Sequence, residues 1–387
     1  MSHYFSRRQL ASLMAHQLIH PDVLSEGLRS GLFISGQRRT GKTTFLHNDL
    51  IPALENEGAL VIYVDLWSDT KANPAQLVRD AIRDALDQLQ TPGSSLLAKL
   101  SRLSGVDVGV LSFKFGFKLE KIGEPGGVPL AQVITELVDQ AKRDVVLIVD
   151  EVQQAITTDD GNQLLLSLKA ARDAVNPRPG TIGHFIFVGT GSHRAMVSEL
   201  TARRTQAFNG ATSIPYPVLD ADYVADILAR LNDTGAPKVP SYELALAAFR
   251  TLGHRPEELM KALRQVQLHT PPGANPDGYL PVVAATLRAA AADIELAKVE
   301  QLGSLAAAIF EKIAATEGDA KGIFSIEAAA DYSRRVGRDV KVEEIQPVVN
   351  ELMGANIIMR RGHGLYGVAD PSVQETWREK QQLLGNP

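Results

Sequence analysis

The chain has 387 residues, with 40 Lys and Arg against 45 Asp and Glu, 44% hydrophobic residues and no cysteine. This length predicts two or three domains that each bury a core, and the net charge of −5 excludes a globally basic nucleic-acid or membrane binder. The lack of cysteine excludes disulfides, thiolate nucleophiles and Cys-ligated metal centres. No apolar stretch reaches the ~18 residues of a membrane helix, so we expect no membrane association and a cytoplasmic location.

Residues 1–215 alternate short apolar runs with helix-patterned segments, which is typical of an α/β domain with a mostly parallel sheet. Four runs are almost continuously apolar, as strands covered on both faces must be, and a fifth is short. A stretch of alternating apolar residues predicts a β-hairpin inserted near 105–122. The predicted strands of the sheet are 32–35, 60–64, 145–149, 185–188 and 211–214.

After this core the strand patterns stop, and residues 216–302 predict a helical lid. Its helices are predicted at 220–231, 241–252, 256–268 and 281–301. Residues 303–387 predict a small third domain in which three helices precede a hairpin turned at Gly362-His363-Gly364, the order of a winged helix-turn-helix. The segments of this domain are 305–316, 325–335, 342–353, 357–361 and 365–368.

A phosphate-binding motif directly follows the first predicted strand and opens a helix, because Gly36–Thr43 fits G-x-x-x-x-G-K-[ST]. Glycines allow backbone N–H groups to face phosphates, and the helix N-terminus adds its positive end. Lys42 would reach the β- and γ-phosphates, and the Thr43 hydroxyl would bind Mg²⁺. A chance glycine turn is the alternative, but the strand–loop–helix context favours a nucleotide site. The predicted nucleotide-binding residues are Gly36, Gln37, Arg38, Arg39, Thr40, Gly41, Lys42, Thr43 and Thr44.

Two carboxylates, Asp150 and Glu151, end the third apolar strand, and ligands of open α/β sheets bind at that end of the strands. We expect Asp150 to hold Mg²⁺ and Glu151 to orient and deprotonate the attacking water. The alternative is that the two carboxylates only cap a helix. The phosphate loop upstream in the sequence favours the catalytic interpretation. A second acidic pair, Asp159-Asp160, lies in no predicted strand and is followed by glycine, so we predict a loop there.

Further polar residues are candidates for sensing the γ-phosphate. A hydroxyl of Thr190 or Ser192, after the fourth strand, would suit this role, and the sequence does not show which of the two it is. Serine and glycine are also common in turns, so a simple turn explains these residues equally well. In a homo-oligomer, Arg203 and Arg204 would act as arginine fingers, but cations are also favourable at a helix C-terminus. Arg255, between two lid helices, would contact the γ-phosphate or simply be exposed at a helix start.

Taken together, these features resemble a P-loop ATPase of the AAA+/STAND group, and in particular the archaeal-type ATPase family that also occurs in bacteria. The order of ATPase core, helical lid and winged helix covers nearly the whole chain. The resemblance implies ATP-dependent switching or assembly. The N-terminal Phe5–Arg8 matches part of the family's Phe-x-Gly-Arg opening, which lies near the adenine. The residues that carry the resemblance are Gly36–Thr43, Asp150–Gln153, Thr190–Ser192 and Gly253–Pro256.

The charges of the C-terminal domain argue against DNA as its partner. From 304 to 387, ten Lys and Arg face twelve Asp and Glu. The predicted reading helix carries Glu343, Glu344 and Glu351 without an arginine, and such a helix is repelled by phosphates. Arg360 and Arg361 in the hairpin would still suit a DNA backbone, but the balance of charge favours a protein-interaction module.

We therefore expect a Mg²⁺-dependent ATPase that couples ATP binding and hydrolysis to a change in domain arrangement or assembly, and so controls a partner protein or a nucleic acid. A partner protein would bind through the winged helix or the lid. Two alternatives stay open. One is a nucleotide-gated DNA-binding regulator acting through the winged helix, and the other is a nucleotide-stabilised scaffold with negligible turnover.

Overall fold

The computed structural model describes residues 4–69, 71–104, 113–124, 126–271, 273–362, 364–383 and 385. The chain divides into two compact units, Met1–Pro217 and Val218–Pro387. The further division of the second unit into a lid and a third domain stays a prediction. Within the described part of the chain, no helix has both the length and the apolar character needed to span a membrane.

A five-stranded sheet forms the centre of the first unit, and all of its strand pairs are parallel. The order across the sheet is β2-β3-β4-β1-β5. All residues of the three central strands are buried, which explains their continuous apolar runs and confirms the predicted α/β core. The strands are β1 (Leu32–Ser35), β2 (Leu60–Asp65), β3 (Val145–Asp150), β4 (Phe185–Gly191) and β5 (Thr212–Pro215).

Helices cover both faces of this sheet, so alternate residues of a strand enter different cores. Val145, Leu147 and Val149 pack in one core, whereas Val146 and Ile148 pack in the other. The helices of this unit are α1 (Arg8–Ile19), α2 (Lys42–Phe45), α3 (Ile51–Asn56), α4 (Pro74–Gln90), α5 (Ser95–Ser104), α6 (Leu130–Ala141), α7 (Asp159–Val175) and α8 (Arg194–Ala202). A π-helical turn, Leu46–Leu50, joins α2 to α3, so the helix that was predicted to span residues 42–50 continues to Asn56.

The prediction of a loop at Asp159-Asp160 is wrong, since both residues lie in the first turn of α7. Thr158 caps this helix, and its hydroxyl accepts a hydrogen bond from the Gly161 N–H at 3.0 Å. A Cβ at Gly161 would lie 1.9 Å from the Ala155 carbonyl oxygen, so glycine serves close packing here rather than a turn. Carboxylates in a first helical turn are also favourable against the helix dipole.

The hairpin predicted near 105–122 is only partly described. Residues 105–112 lie outside the described residues. Residues 113–122, the described part of the predicted hairpin, contain a 3₁₀ turn, Leu119–Lys121. Phe113 is buried in the core that also contains Val145, Leu147 and Val149, and Phe115 and Phe117 pack against this core. The apolar alternation in this stretch therefore reflects residues that cover the core without pairing as a strand.

Among its described residues, the second unit contains helices and one antiparallel strand pair, as predicted, and each predicted helix begins and ends within two residues of its observed bounds. Residues between 292 and 373 share a core that includes Ile309, Phe310 and Tyr332, and a helix that was not predicted follows the hairpin. The elements are α9 (Ala221–Asp233), α10 (Tyr242–Thr251), α11 (Pro256–His269), α12 (Leu280–Gln301), α13 (Ser304–Ala315), α14 (Ile326–Val336), α15 (Val342–Gly354), β6 (Ile358–Gly362), β7 (Leu365–Val368) and α16 (Pro371–Leu383).

Candidate nucleotide site

The loop between β1 and α2 lies at the edge of the sheet where the parallel strands end. The Gly36 N–H donates to the Gly191 carbonyl at 3.1 Å, which fixes the start of the loop against the end of β4. Gly41 has φ 93°, a conformation that favours glycine. A Cβ at Gly36 would lie 2.8 Å from Cβ of Tyr216, so only glycine fits there. Both glycines of the motif are therefore required by local geometry.

The Lys42 side chain folds back into this loop and is buried, with 6% of its surface exposed. Its Nζ donates to the carbonyl oxygens of Gly36 and Gln37, both at 2.7 Å, and the Thr40 hydroxyl donates to the same Gln37 oxygen at 2.8 Å. Burial lowers the pKa of the Lys42 ammonium, while the nearby carboxylates of Glu151 and Asp150 act in the opposite direction. The loop thus encloses one positive charge at the start of a helix.

Asp150 joins the loop to the end of β3, with 1% of its surface exposed. Its Oδ2 accepts hydrogen bonds from the Thr43 hydroxyl at 2.7 Å and the Tyr63 hydroxyl at 3.3 Å, and its Oδ1 accepts one from the Thr190 hydroxyl. Burial raises the pKa of the Tyr63 phenol, and the Asp150 and Asp65 carboxylates add to this, so Tyr63 remains a donor. The oxygens of Thr43 and Asp150 form a donor set that fits Mg²⁺.

A third carboxylate, Asp65, lies opposite Asp150 in the register of β2 and β3. Burial raises the pKa of Asp65, the Trp67 N–H opposes this through a hydrogen bond of 2.8 Å, and the charges of Asp150 and Glu151 raise it further. Three carboxylates therefore lie near one another at this edge of the sheet. Such a concentration of negative charge is stabilised by a cation.

Glu151 has a separate set of partners from Asp150. Its Oε2 accepts hydrogen bonds from the Ser192 N–H at 3.1 Å, from the Ser192 hydroxyl at 2.7 Å and from Nε2 of Gln153. Its φ of 56° turns the chain sharply after β3, in a region that non-glycine residues seldom adopt. The two hydroxyls that the sequence could not distinguish therefore have different partners: Thr190 contacts Asp150 and Ser192 contacts Glu151. Which of them senses the γ-phosphate stays a prediction.

The predicted arginines fall in different places. The Arg38 guanidinium lies 4.0 Å from the ring centroid of Trp67, and its Nε donates to the Ser192 hydroxyl at 3.3 Å. Arg39, in the phosphate loop, has a backbone φ of 63°. Three other predicted site residues are exposed to solvent, namely Thr43, Thr44 and Arg204. Arg203 pairs with Glu199, and Arg255 pairs with Asp370 within the second unit. The finger or sensor roles of Arg204 and Arg255 stay predictions.

Sequence reasoning missed a polar cluster behind the loop. The Tyr216 hydroxyl donates to the Gly41 carbonyl at 3.3 Å and accepts from Nη1 of Arg7 at 3.2 Å. Nη1 of Arg7 also donates to the Pro217 carbonyl, and the Arg7 N–H donates to Oδ2 of Asp49 at 3.0 Å. These three partners of Arg7 are 42 to 210 positions away in the chain, so no local pattern signals them. Arg7 itself lies in the segment that partly matched the N-terminal opening of the family.

A glycine-rich loop between β1 and α2, with a buried aspartate of the third strand against its threonine, defines the class of P-loop NTPases. Within this class, the chain belongs to the family described as an ATPase domain predominantly from Archaea, whose model matches residues 21–261. The protein is therefore an ATPase that binds and hydrolyses ATP. Its assignment to the STAND group and the winged helix stay predictions.

Solved structures show the same fold over almost the whole chain. The Walker-type ATPase of Pyrococcus abyssi is 17% identical and has a TM-score of 0.55, with 97% of this chain and 96% of that chain covered. The ADP form of the Aeropyrum pernix ORC2 protein is 12% identical and has a TM-score of 0.53, with 100% and 95% covered. The ADPNP-ADP complexes of the same protein give 14% identity, a TM-score of 0.51, and 100% and 96% coverage. No curated protein matches the chain.

Proposed function

We propose that this ATPase requires Mg²⁺ and uses the nucleotide state of its loop to change the arrangement of its second unit, and so controls a partner protein. Lys42 would meet the charge of the β- and γ-phosphates. Thr43 and Asp150 would hold Mg²⁺, which when bound neutralises phosphate charge. Glu151 would orient the attacking water and accept its proton. The hydrogen bonds from Ser192 and Gln153 support this role, because they fix the direction of the Glu151 carboxylate.

One observation carries the switching proposal: Tyr216 and Arg7 connect the phosphate loop to the last residue of the first unit. Tyr216 packs on Gly36, donates to the Gly41 carbonyl and accepts from Arg7, which donates in turn to the Pro217 carbonyl. The second unit begins at the next residue, Val218. A shift of the loop on binding a γ-phosphate would therefore reach the junction of the two units through a short chain of hydrogen bonds.

The first prediction is that an ATP analogue and ADP, each with Mg²⁺, give different amide hydrogen exchange in residues 218–387, measured by mass spectrometry. Tyr216→Phe removes one hydroxyl but keeps the ring against Gly36. The lost hydroxyl makes two hydrogen bonds, to the Gly41 carbonyl and from Arg7, so we expect this variant to reduce the difference between the two states by about 2 kcal/mol in opening free energy, about 1 kcal/mol for each bond, and to leave ATP affinity nearly unchanged.

Tyr242→Phe is the matched control, because this tyrosine is 38% exposed and lies in the second unit. Its exchange difference should equal that of the unmodified protein. Identical exchange of residues 218–387 in the ATP-analogue, ADP and nucleotide-free states would contradict the switch and favour a nucleotide-stabilised scaffold. Sedimentation of the same samples would show whether the response is assembly into a homo-oligomer.

The charges of the C-terminal region favour a protein rather than DNA as the partner. Glu343 and Glu344 lie in the first turn of α15, the helix that would read DNA if 303–387 is a winged helix-turn-helix. The carboxylate of Glu344 accepts from the Lys341 N–H at 2.9 Å and pairs with Arg338 at 2.8 Å. In the hairpin, Arg361 pairs with Asp319 at 3.2 Å. Acidic groups thus offset the cations that DNA phosphates would need.

The second prediction is that a labelled DNA duplex does not bind at 150 mM salt, as measured by fluorescence anisotropy with and without an ATP analogue. The double variant Arg360→Ala/Arg361→Ala tests the hairpin and should give the same result. Binding that falls steeply with salt and is lost in this variant would overturn the prediction. The nucleotide-gated DNA-binding regulator would then be the better description.

A further inference from the structure

The surface of the first unit carries a cluster of metal-binding side chains apart from the phosphate loop. His16 lies in the last turn of α1, His20 directly follows this helix, and Glu57 directly follows α3. The three side chains place one ligand atom each within 4.8 Å of one another. Among the described residues, no other group of three His, Asp or Glu meets this criterion. Glu57 precedes β2, so the cluster lies at the edge of the sheet opposite the phosphate loop.

The distances from the Glu57 carboxylate to the two imidazoles are close to those between ligands of a single ion. Oε2 of Glu57 lies 3.3 Å from Nε2 of His20 and 3.7 Å from Nδ1 of His16. Two ligands bound to Zn²⁺ at ~2.0–2.1 Å with tetrahedral geometry are about 3.4 Å apart. One ion could therefore contact all three atoms with small rotations of the side chains. The two imidazoles are mostly exposed, which leaves access for an ion from solvent.

The backbone around the cluster also favours a cation. His20 is the C-cap residue of α1 and Glu57 is the C-cap residue of α3, so two helices end at this point. Helix C-termini carry partial negative charge. The His20 N–H donates to the His16 carbonyl at 2.7 Å, which fixes the spacing of the two histidines. An ion would thus bind to two elements whose positions are already set by the fold.

We propose that His16, His20 and Glu57 bind a divalent transition-metal ion, with Zn²⁺ as the physiological ligand. Two imidazoles and a carboxylate suit Zn²⁺ and leave a fourth position for water, whereas Mg²⁺ prefers oxygen donors. The bound ion would link α1 to α3 and stabilise the first unit. This site is independent of the proposed nucleotide chemistry, because its residues take no part in the loop or the acidic pair.

The test is a calorimetric titration of the full chain with ZnCl₂ at pH 7.5, after treatment with EDTA and without nucleotide. We expect one equivalent to bind, with no displacement by millimolar Mg²⁺. His16→Ala, His20→Ala and Glu57→Gln should each weaken binding by at least about tenfold. His269→Ala is the matched control, since this exposed histidine lies in the second unit, and it should bind as the unmodified protein does.

Two further measurements distinguish a loss of metal binding from a loss of folding in the variants. Zn²⁺ should raise the Tm of the unmodified protein with increasing concentration, as binding to the native state requires, and should not raise the Tm of His16→Ala/His20→Ala. Co²⁺ should give a visible absorption band that this double variant lacks. Equal Zn²⁺ affinity in the double variant and the unmodified protein would overturn the proposal, and the three side chains would then only contact one another without a metal.

Discussion

Replacing Lys42 with alanine is expected to weaken ATP binding by a factor of about 100 or more, since loss of a buried charged partner costs on the order of 3 kcal/mol. Two causes act together. The variant lacks the positive charge at the phosphate position, and it lacks the two hydrogen bonds from Nζ to the carbonyl oxygens of Gly36 and Gln37. Titration with a fluorescent ATP analogue and Mg²⁺ measures the change in affinity.

A second substitution separates the charge of Lys42 from its packing. Lys42→Met keeps an apolar stem of similar length and should lose as much affinity as Lys42→Ala if the charge dominates. Lys99→Ala is the control, because Lys99 is exposed and pairs with Glu55, at 2.9 Å, in the same unit. It should bind ATP normally. Unchanged affinity in Lys42→Ala would mean that the phosphates do not lie in this loop.

The phosphate loop could be predicted because its chemistry depends on consecutive residues. Successive backbone N–H groups and one lysine at a fixed spacing are needed to surround phosphates, so the motif is complete within Gly36–Thr43. The central strands were predictable for a related reason, since burial on both faces demands continuous apolar runs such as that of β3. Local sequence carries both signals without knowledge of the tertiary structure.

The partners of the two carboxylates could not be predicted in this way. Thr190 and Ser192 are two positions apart and have the same chemistry, yet the first donates to Asp150 and the second to Glu151. This division depends on the sharp turn at Glu151, where φ is 56°. The glutamate side chain is thereby directed away from the partners of Asp150. A periodic pattern contains no information on such a turn.

Contacts between distant parts of the chain explain the remaining differences. Arg7, Asp49 and Tyr216 meet behind the loop only because α1, the helical segment after α2 and the end of β5 pack together. At Asp159, the local sequence predicts the wrong structure. Thr158 and Gly161 look like turn residues, but the Thr158 hydroxyl caps a helix and Gly161 allows the Ala155 carbonyl to approach. The same residue types serve turns and helix starts, and only packing separates the two.

Replacing Glu151 with glutamine is expected to leave ATP bound at close to normal affinity and to slow phosphate release by about 10²- to 10⁴-fold, the contribution of a general base. The glutamine oxygen can still accept hydrogen bonds from the N–H and the hydroxyl of Ser192, as Oε2 of Glu151 does. The shape of the site is therefore retained while its basicity is lost. Single-turnover phosphate release at saturating ATP and Mg²⁺ measures the rate, and the fluorescent analogue measures binding.

Glu55→Gln provides the matched control, since this glutamate is on α3 in the same unit and pairs with Lys99 at 2.9 Å. It should release phosphate at the normal rate. Together with Lys42→Ala, the glutamine variant separates the two steps of the reaction, because the first substitution acts on binding and the second on chemistry. If Glu151→Gln released phosphate at the normal rate, Glu151 would not be the base. The hydrogen bonds from Ser192 and Gln153 would then serve only to hold the sharp turn after β3.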